Sequence, residues 1–443
     1  MPSFAPVLTL LPAPSLLTVL TRLPLIALIC VSLAACGGSD EDDDNTDTAP
    51  PVVSPVDPTP GAPDPDPTPE PEPASPYVSA KPDDVIKVAI SELHPTQIAV
   101  GYDQIYYHLG RKQPDLGRYS PGSAGYLGDD DTDNYSRHIY RSERKRGDDY
   151  CADNGQGGLN NASYQPHTLR LIDPNTFQCS EPPPESGSAQ AAELKTVVVG
   201  PHGRLYLTDG HHTLTVLNEL ADGGASLPVW LRVAANFSDA ADTQDFWARM
   251  ADAGYVWLRD ADANLITPQA LPEHVALANF QDDEYRSLVY LTRDLGYSNA
   301  SVSEFAEFNW GSWLRSQGLN LNAYTSGSLD RARVAVADGM VAPRAGDSTT
   351  SLVAAVRDAA ILMVTAAPQT EIGPGRTGTD LGQLPVPTSA SAWNDVMEDD
   401  IWRADTNSSG RYRTAGKAWY AVKYRQCGGP AATQPACWMQ PVQ

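Results

Sequence analysis

Apolar and polar positions divide the chain into a few readable stretches. Val85-Ile86-Lys87-Val88-Ala89-Ile90 places Ile86, Val88 and Ile90 on one face of an extended segment and predicts a strand. Ile98, Val100, Tyr102, Ile105, Tyr106 and Leu109 predict a helix over 98–110, ended by Gly110. Residues 111–168 are polar and Gly-rich without a period, and are expected to be irregular. The clearest pattern follows. Lys195–Val199 and Arg204–Thr208 read as two strands around the turn Gly200-Pro201-His202-Gly203. After Asp209-Gly210-His211-His212 comes a helix with Leu214, Leu217, Leu220 and Ala221 on one side and Gly223-Gly224 at its stop. Pro228–Val233 is a third strand. Beyond Asn236 the pattern turns helical, at about 243–253, 283–295, 301–317, 328–340 and 349–366, with strands expected around Trp419–Tyr424. The class is α+β: a small mixed sheet-and-helix core, then a mainly helical elaboration, and no internal repeat.

The first 76 residues do not belong to that core. Arg22 precedes a thirteen-residue apolar stretch, Leu23–Ala35, too short to span a membrane and of the length of a secretory signal. Residues 37–76 carry twelve prolines, eleven acids and no base. Such a segment buries no core and self-repels, so it is expected to be an extended tether. The expected organisation is therefore a signal at 1–35, Cys36 and a tether at 36–76, a core at 77–240 and a helical region at 241–443.

Charge and cysteines narrow the function. The net charge is −24, and the body after the tether is still acidic, which disfavours broad nonspecific binding to nucleic acid. A local exception is the basic run Arg137–Arg146, with Arg137, Arg141, Arg144, Lys145 and Arg146 against Glu143. No apolar run is long enough for a polytopic membrane protein. With Cys30 in the signal and Cys36 at its end, Cys151, Cys179, Cys427 and Cys437 remain, and in an exported chain four cysteines suggest two disulfides. Three pairings are possible. Cys151–Cys179 and Cys427–Cys437 close the shortest loops and are preferred over a zinc site, since no C-x-x-C pair is present.

Candidate chemistry gathers at the strand-to-helix junction. Asp209, Gly210, His211, His212 and Thr213 open a helix, where unpaired amides and the helix dipole favour an anion. Imidazoles there can act as acid, base or metal ligand, although neighbours on a helix point about 100° apart. Asp209 is also a good N-cap residue. Lys195 and Arg204 flank the hairpin and are candidates to hold phosphate.

Two stretches resemble known families. Leu33-Ala34-Ala35-Cys36-Gly37 resembles the lipobox of bacterial lipoproteins. That resemblance implies cleavage before Cys36, lipidation of Cys36, and export to a membrane anchor, the outer membrane of a Gram-negative bacterium being favoured by Gly37. Thr208-Asp209-Gly210-His211-His212 after the hairpin resembles the ParB/sulfiredoxin superfamily, in its branch of ParB-like nucleases. Pro95–Tyr102, Lys195–Gly200, Trp257–Asp260 and Tyr285–Tyr290 look like the same branch, so the likeness spans about 85–315. It implies a phosphate-bearing ligand at the junction. On this basis the chain is expected to be an exported nuclease or phosphodiesterase. His211 would be general base or metal ligand, His212 its partner, Asp209 a cap and carboxylate, and Mg, Mn or Zn a plausible cofactor. Thr213 stands where many relatives carry arginine, and no helix-turn-helix for reading a DNA site is apparent. The alternative is a non-catalytic surface lipoprotein that binds an anionic ligand.

Overall fold

The computed structural model describes residues 75–113, 135–164, 168–300, 302, 305–405, 408 and 413–442, without the side chains of 135–141. The signal, Cys36, the tether to Ala74 and the side chains of Arg137 and Arg141 lie outside the described residues.

The four predicted strands and one that the pattern did not show, Leu93–Pro95, form one mixed sheet. Val85–Ala89 (β1), Leu93–Pro95 (β2), Thr196–Val199 (β4), Leu205–Leu207 (β5) and Pro228–Asn236 (β6) lie in the order β1-β6-β4-β5-β2. β1 pairs antiparallel with β6, β4 parallel with β6, and β5 antiparallel with β4 and parallel with β2. The turn at Pro201–Gly203 closes the β4–β5 hairpin as expected. Helix α4, His211–Glu219, follows β5 directly and buries Leu214 and Leu217 with Val197, Val199, Leu207 and Leu231.

Around this sheet the chain departs from the pattern in instructive places. Ala99–Val100 is not helical. It forms a short strand (β3) parallel to Gln281–Asp282 (β7), so the first helix, α1, spans Tyr102–Lys112. Gly101 opens α1 because a Cβ there would stand 2.8 Å from the backbone nitrogen of Ser287.

Residues expected to be irregular contain a 19-residue helix, α2, Tyr135–Asp153. Its sequence is mostly polar, with Tyr150 and Cys151 near its end packed into the core, a pattern that forms a stable helix only through ion pairs and tertiary support. Arg144 and Lys145 pair with Asp148 and Asp149 one turn on, and Arg146 reaches Asp222 at 3.1 Å. The Cys151–Cys179 disulfide pins its C-terminal end. The described part of the basic run is therefore occupied by acids and is not an open phosphate-binding strip.

Short helix Ala189–Ala192 (α3) precedes β4, and Thr243–Asp252 (α5) follows β6 as expected. Helix α6, Glu284–Leu291, starts where Asp283 accepts from the Arg286 amide at 3.0 Å, and α7 is Ala306–Ser316.

The expected helix at 328–340 is instead a hairpin, Val334–Ala337 (β8) with Met340–Pro343 (β9). Its turn residues Asp338 and Gly339 both have positive φ, 51° and 73°, the geometry of a two-residue Asp-Gly turn that apolar counting overlooks. Helix α8, Leu352–Thr365, is the strongly apolar one. It packs Val353, Val356, Ala360 and Met363 against Trp310 and Leu314 in a second core.

A small ribbon, Glu371–Gly373 (β10) with Arg376–Thr377 (β11), leads to helix α9, Ala390–Val396. The segment expected as strands near Trp419 is helix α10, Lys417–Cys427, ended by Gly428 at φ 64° and tied to the last helix, α11 (Pro435–Trp438), by Cys427–Cys437. α10 packs along α1, which also touches α4 and α6. The elements after the sheet thus close over the helices that follow it.

Candidate functional site

The junction between β5 and α4 is held by backbone geometry. Thr208 and Thr196 hydroxyls meet at 2.7 Å, locking the end of β5 to the start of β4. Gly210 then turns with φ 96°, a left-handed conformation that side chains resist. A Cβ on Gly210 would lie 2.7 Å from the Lys195 side chain. Asp209 does not cap the helix: Gly210 holds that position and no side chain bonds to the first turn. Asp209 instead faces Lys195 at 3.7 Å and is half exposed. Among the described residues the amides of His211, His212 and Thr213 have no acceptor.

Both histidines are buried, with 3 % and 8 % of their surface exposed. The amide of Thr96 donates to Nε2 of His211 at 3.1 Å, and that of Gly101 donates to Nε2 of His212 at 2.9 Å. Each ring therefore braces a loop before α1. Burial pushes the His211 pKa down to about 3, and burial together with Arg286 and His211 holds His212 well below the ordinary value. Both rings are neutral near pH 7. A neutral imidazole that accepts at Nε2 carries its proton at Nδ1. The Nδ1–H of His212 then faces Nη2 of Arg286 at 3.4 Å, donor against donor.

These groups line a cavity of about 530 Å³ formed by α1, α2, α4, α6 and the start of α7. Arg286, from α6, is 4 % exposed and pairs with Glu307. Its Nε and Nη1 have no hydrogen-bond partner, and neither does the Oε1 of Gln104. Glu307 also binds Arg293 at 2.6 Å and accepts from the Tyr297 hydroxyl. Burial would raise the Glu307 pKa, but the two guanidiniums hold it below the usual carboxylate range. Farther along the wall, Lys112 and Lys145 both pair with Asp149, and Asp153 and His108 line the same cavity. The cavity thus combines a helix N-terminus, an arginine with unspent donors and an inward imidazole N–H, an arrangement suited to an anion.

A divalent metal does not fit His211 and His212. The Nε2 lone pairs a metal would need are taken by backbone amides, and the Nδ1 positions carry protons. Among the described residues no group of three or more His, Cys, Asp or Glu is placed to hold a metal.

A model for the family described as Putative ParB-like nuclease matches residues 86–316. The chain belongs to this family. No curated protein matches it. A crystal structure of protein Atu1540 from Agrobacterium tumefaciens is similar at 22 % identity, over 53 % of this chain and 79 % of that one, with a TM-score of 0.29.

Within this ParB-like nuclease domain, Asp209, Gly210, His211, His212, Thr213 and Lys195 all line the same cavity. Arg204 does not. It pairs with Glu273 at 3.1 Å beside a second cavity of about 360 Å³ walled by Tyr206, Phe246 and Trp247. The guanidinium that faces the junction is Arg286, about seventy residues further on. The segment Tyr285–Tyr290 belonged to the family resemblance, but nothing local to Arg286 announces a ligand. Asp153 was missed because the segment around it carried no helical period.

Proposed function

We propose that this ParB-like nuclease domain holds the phosphate of a phosphate-ester substrate at the Asp209–Thr213 junction and hydrolyses it. One observation carries the reading: the unspent N–H groups of Arg286, the Nδ1–H of His212 and the free first-turn amides of α4 all line one cavity. A phosphate oxygen accepts from all three kinds of donor, and separates His212 from Arg286, which otherwise oppose each other. Lys195, partly exposed and facing Asp209, adds a further positive charge to the lining. The nearby cations also stabilise charge that grows on phosphoryl oxygens during hydrolysis. In this reading His211 and His212 are positioning residues that donate or brace, rather than bases.

The second reading, a binder without turnover, is favoured by one specific fact, the commitment of both Nε2 atoms to loop amides. Binding of inorganic sulfate and hydrolysis of bis-p-nitrophenyl phosphate and single-stranded DNA, measured on the protein and on Arg286→Met, separate the two. Loss of one charge-assisted donor pair is expected to weaken sulfate about 10- to 100-fold. Turnover lost in parallel supports the hydrolase, whereas sulfate binding without turnover of any substrate supports the binder. Unchanged sulfate affinity in Arg286→Met overturns both. Export and a lipid anchor at Cys36 belong to the same proposal, and predict that Cys36→Ala moves the protein from the membrane fraction to the soluble one.

A further inference from the structure

Four acids line the main cavity: Asp149, Asp153, Asp209 and Glu307. Three are neutralised by cations. Asp149 is held between Lys112 at 2.9 Å and Lys145, Asp209 faces Lys195 at 3.7 Å, and Glu307 sits between Arg286 and Arg293. Among the described residues Asp153 has neither an ion pair nor a hydrogen bond. The basic groups of the cavity are spent as well, since Nε2 of His211 and of His212 each accept an amide and Nε2 of His108 meets the Tyr290 hydroxyl at 3.5 Å.

We propose that Asp153 is the proton-transfer group of this cavity, in contact with the phosphate held at the junction. In its acid form it gives its proton to the ester oxygen as the P–O bond to the leaving group breaks. Water forms the new P–O bond, and the proton it releases returns to the carboxylate, so the enzyme ends as it began. The inference rests on the phosphate reading above.

The fold supports an acid at this position. Asp153 is the last residue of α2, at the negative end of the helix dipole, where a carboxylate is disfavoured. Its side chain is only partly exposed, and the desolvation this brings raises its pKa further. Lys112 on α1, Lys195 before β4 and Lys145 on α2 work in the opposite direction, while Asp149 reinforces the rise. Lys195 also flanks the α4 N-terminus, so its charge acts on both Asp153 and the anion site. An anion in the cavity adds a negative neighbour and raises Asp153 again, which couples binding to proton uptake.

The test uses sulfate, which does not titrate, as the probe. Calorimetry near pH 5.5 in two buffers of different ionisation enthalpy counts the protons taken up on binding. The protein is expected to take up a fraction of a proton and Asp153→Asn close to none, with sulfate still bound. Equal uptake in both overturns the proposal. Turnover gives the second readout. Asp153→Asn is expected to lose about 100-fold on a methyl p-nitrophenyl ester series as the leaving group is made poorer, and little on p-nitrophenol itself, which leaves unaided. An equal loss on every leaving group marks a structural role and overturns the assignment. Recovery in Asp153→Glu supports it. Asp153-dependent proton uptake without any turnover places Asp153 against the anion and brings down the hydrolase reading instead. Absence of sulfate binding brings down both.

Discussion

The burial of His211 makes a quantitative prediction about acid stability. Its ring is 3 % exposed, accepts the Thr96 amide, and has a pKa pushed down to about 3 by burial. In the unfolded chain the same ring titrates near its ordinary value of 6.5. Between these two values the unfolded chain holds the extra proton. Stability from the neutral ring is therefore complete above pH 6.5 and is lost progressively as pH falls towards 3. Linkage puts the loss at about 1 kcal/mol by pH 5.5 and about 3 kcal/mol by pH 4.5 for this one group.

His211→Gln isolates the effect, because the glutamine carbonyl can accept from Thr96 and does not titrate. Urea unfolding of both proteins at pH 7.5, 5.5 and 4.5 measures it. The variant is expected to be less stable at pH 7.5, from imperfect packing, and to close the gap by about 3 kcal/mol at pH 4.5. His108 and the carboxylates contribute alike to both proteins, and His212, whose largest depressions come from its own burial and from Arg286, stays well below its ordinary value in either, so the difference reports chiefly His211. A gap that stays constant with pH refutes the claim that the ring is buried and neutral.

Gly210→Ala is expected to cost about 1–2 kcal/mol, from the positive φ and from contact with Lys195, and to weaken sulfate binding while circular dichroism stays native. Arg204→Ala, at the other cavity, is expected to leave sulfate affinity within about twofold, since an exposed ion pair is worth little. Reduction of the two disulfides is expected to lower stability by about 3–4 kcal/mol for Cys151–Cys179 and about 2–3 kcal/mol for Cys427–Cys437, following loop lengths of 28 and 10 residues, as read from unfolding of the single-bridge Cys→Ala pairs.

The local code of this chain is uneven, and the site shows where it runs out. Alternation in Val85–Ile90, the apolar runs on either side of Gly200–Gly203, and the apolar face after His212 determined β1, the β4–β5 hairpin and α4 as elements, because each carries its buried face in its own local period, whereas the pairing of β1 with β6 joins distant segments. The same segments placed Asp209–Thr213 and Lys195 together, since β4 and the β5–α4 junction are adjacent in the hairpin. The two disulfide pairings were legible for a related reason, as short loops meet first.

What only the tertiary structure decided comes from contacts that leave no period. α2 is mostly polar without a helical apolar period and is held by Lys112, Asp222 and a disulfide, so neither the helix nor Asp153 at its end could be seen in the pattern. α10 covers α1 in a region read as strands, and the Asp338-Gly339 turn overrode an apparently helical run. Arg286 and Glu307 lie far along the chain from the junction whose cavity they line. The state of the two histidines is likewise a tertiary fact. Their spacing suggested bases or metal ligands, and burial plus two backbone amides from the loops before α1 made them neutral donors and braces.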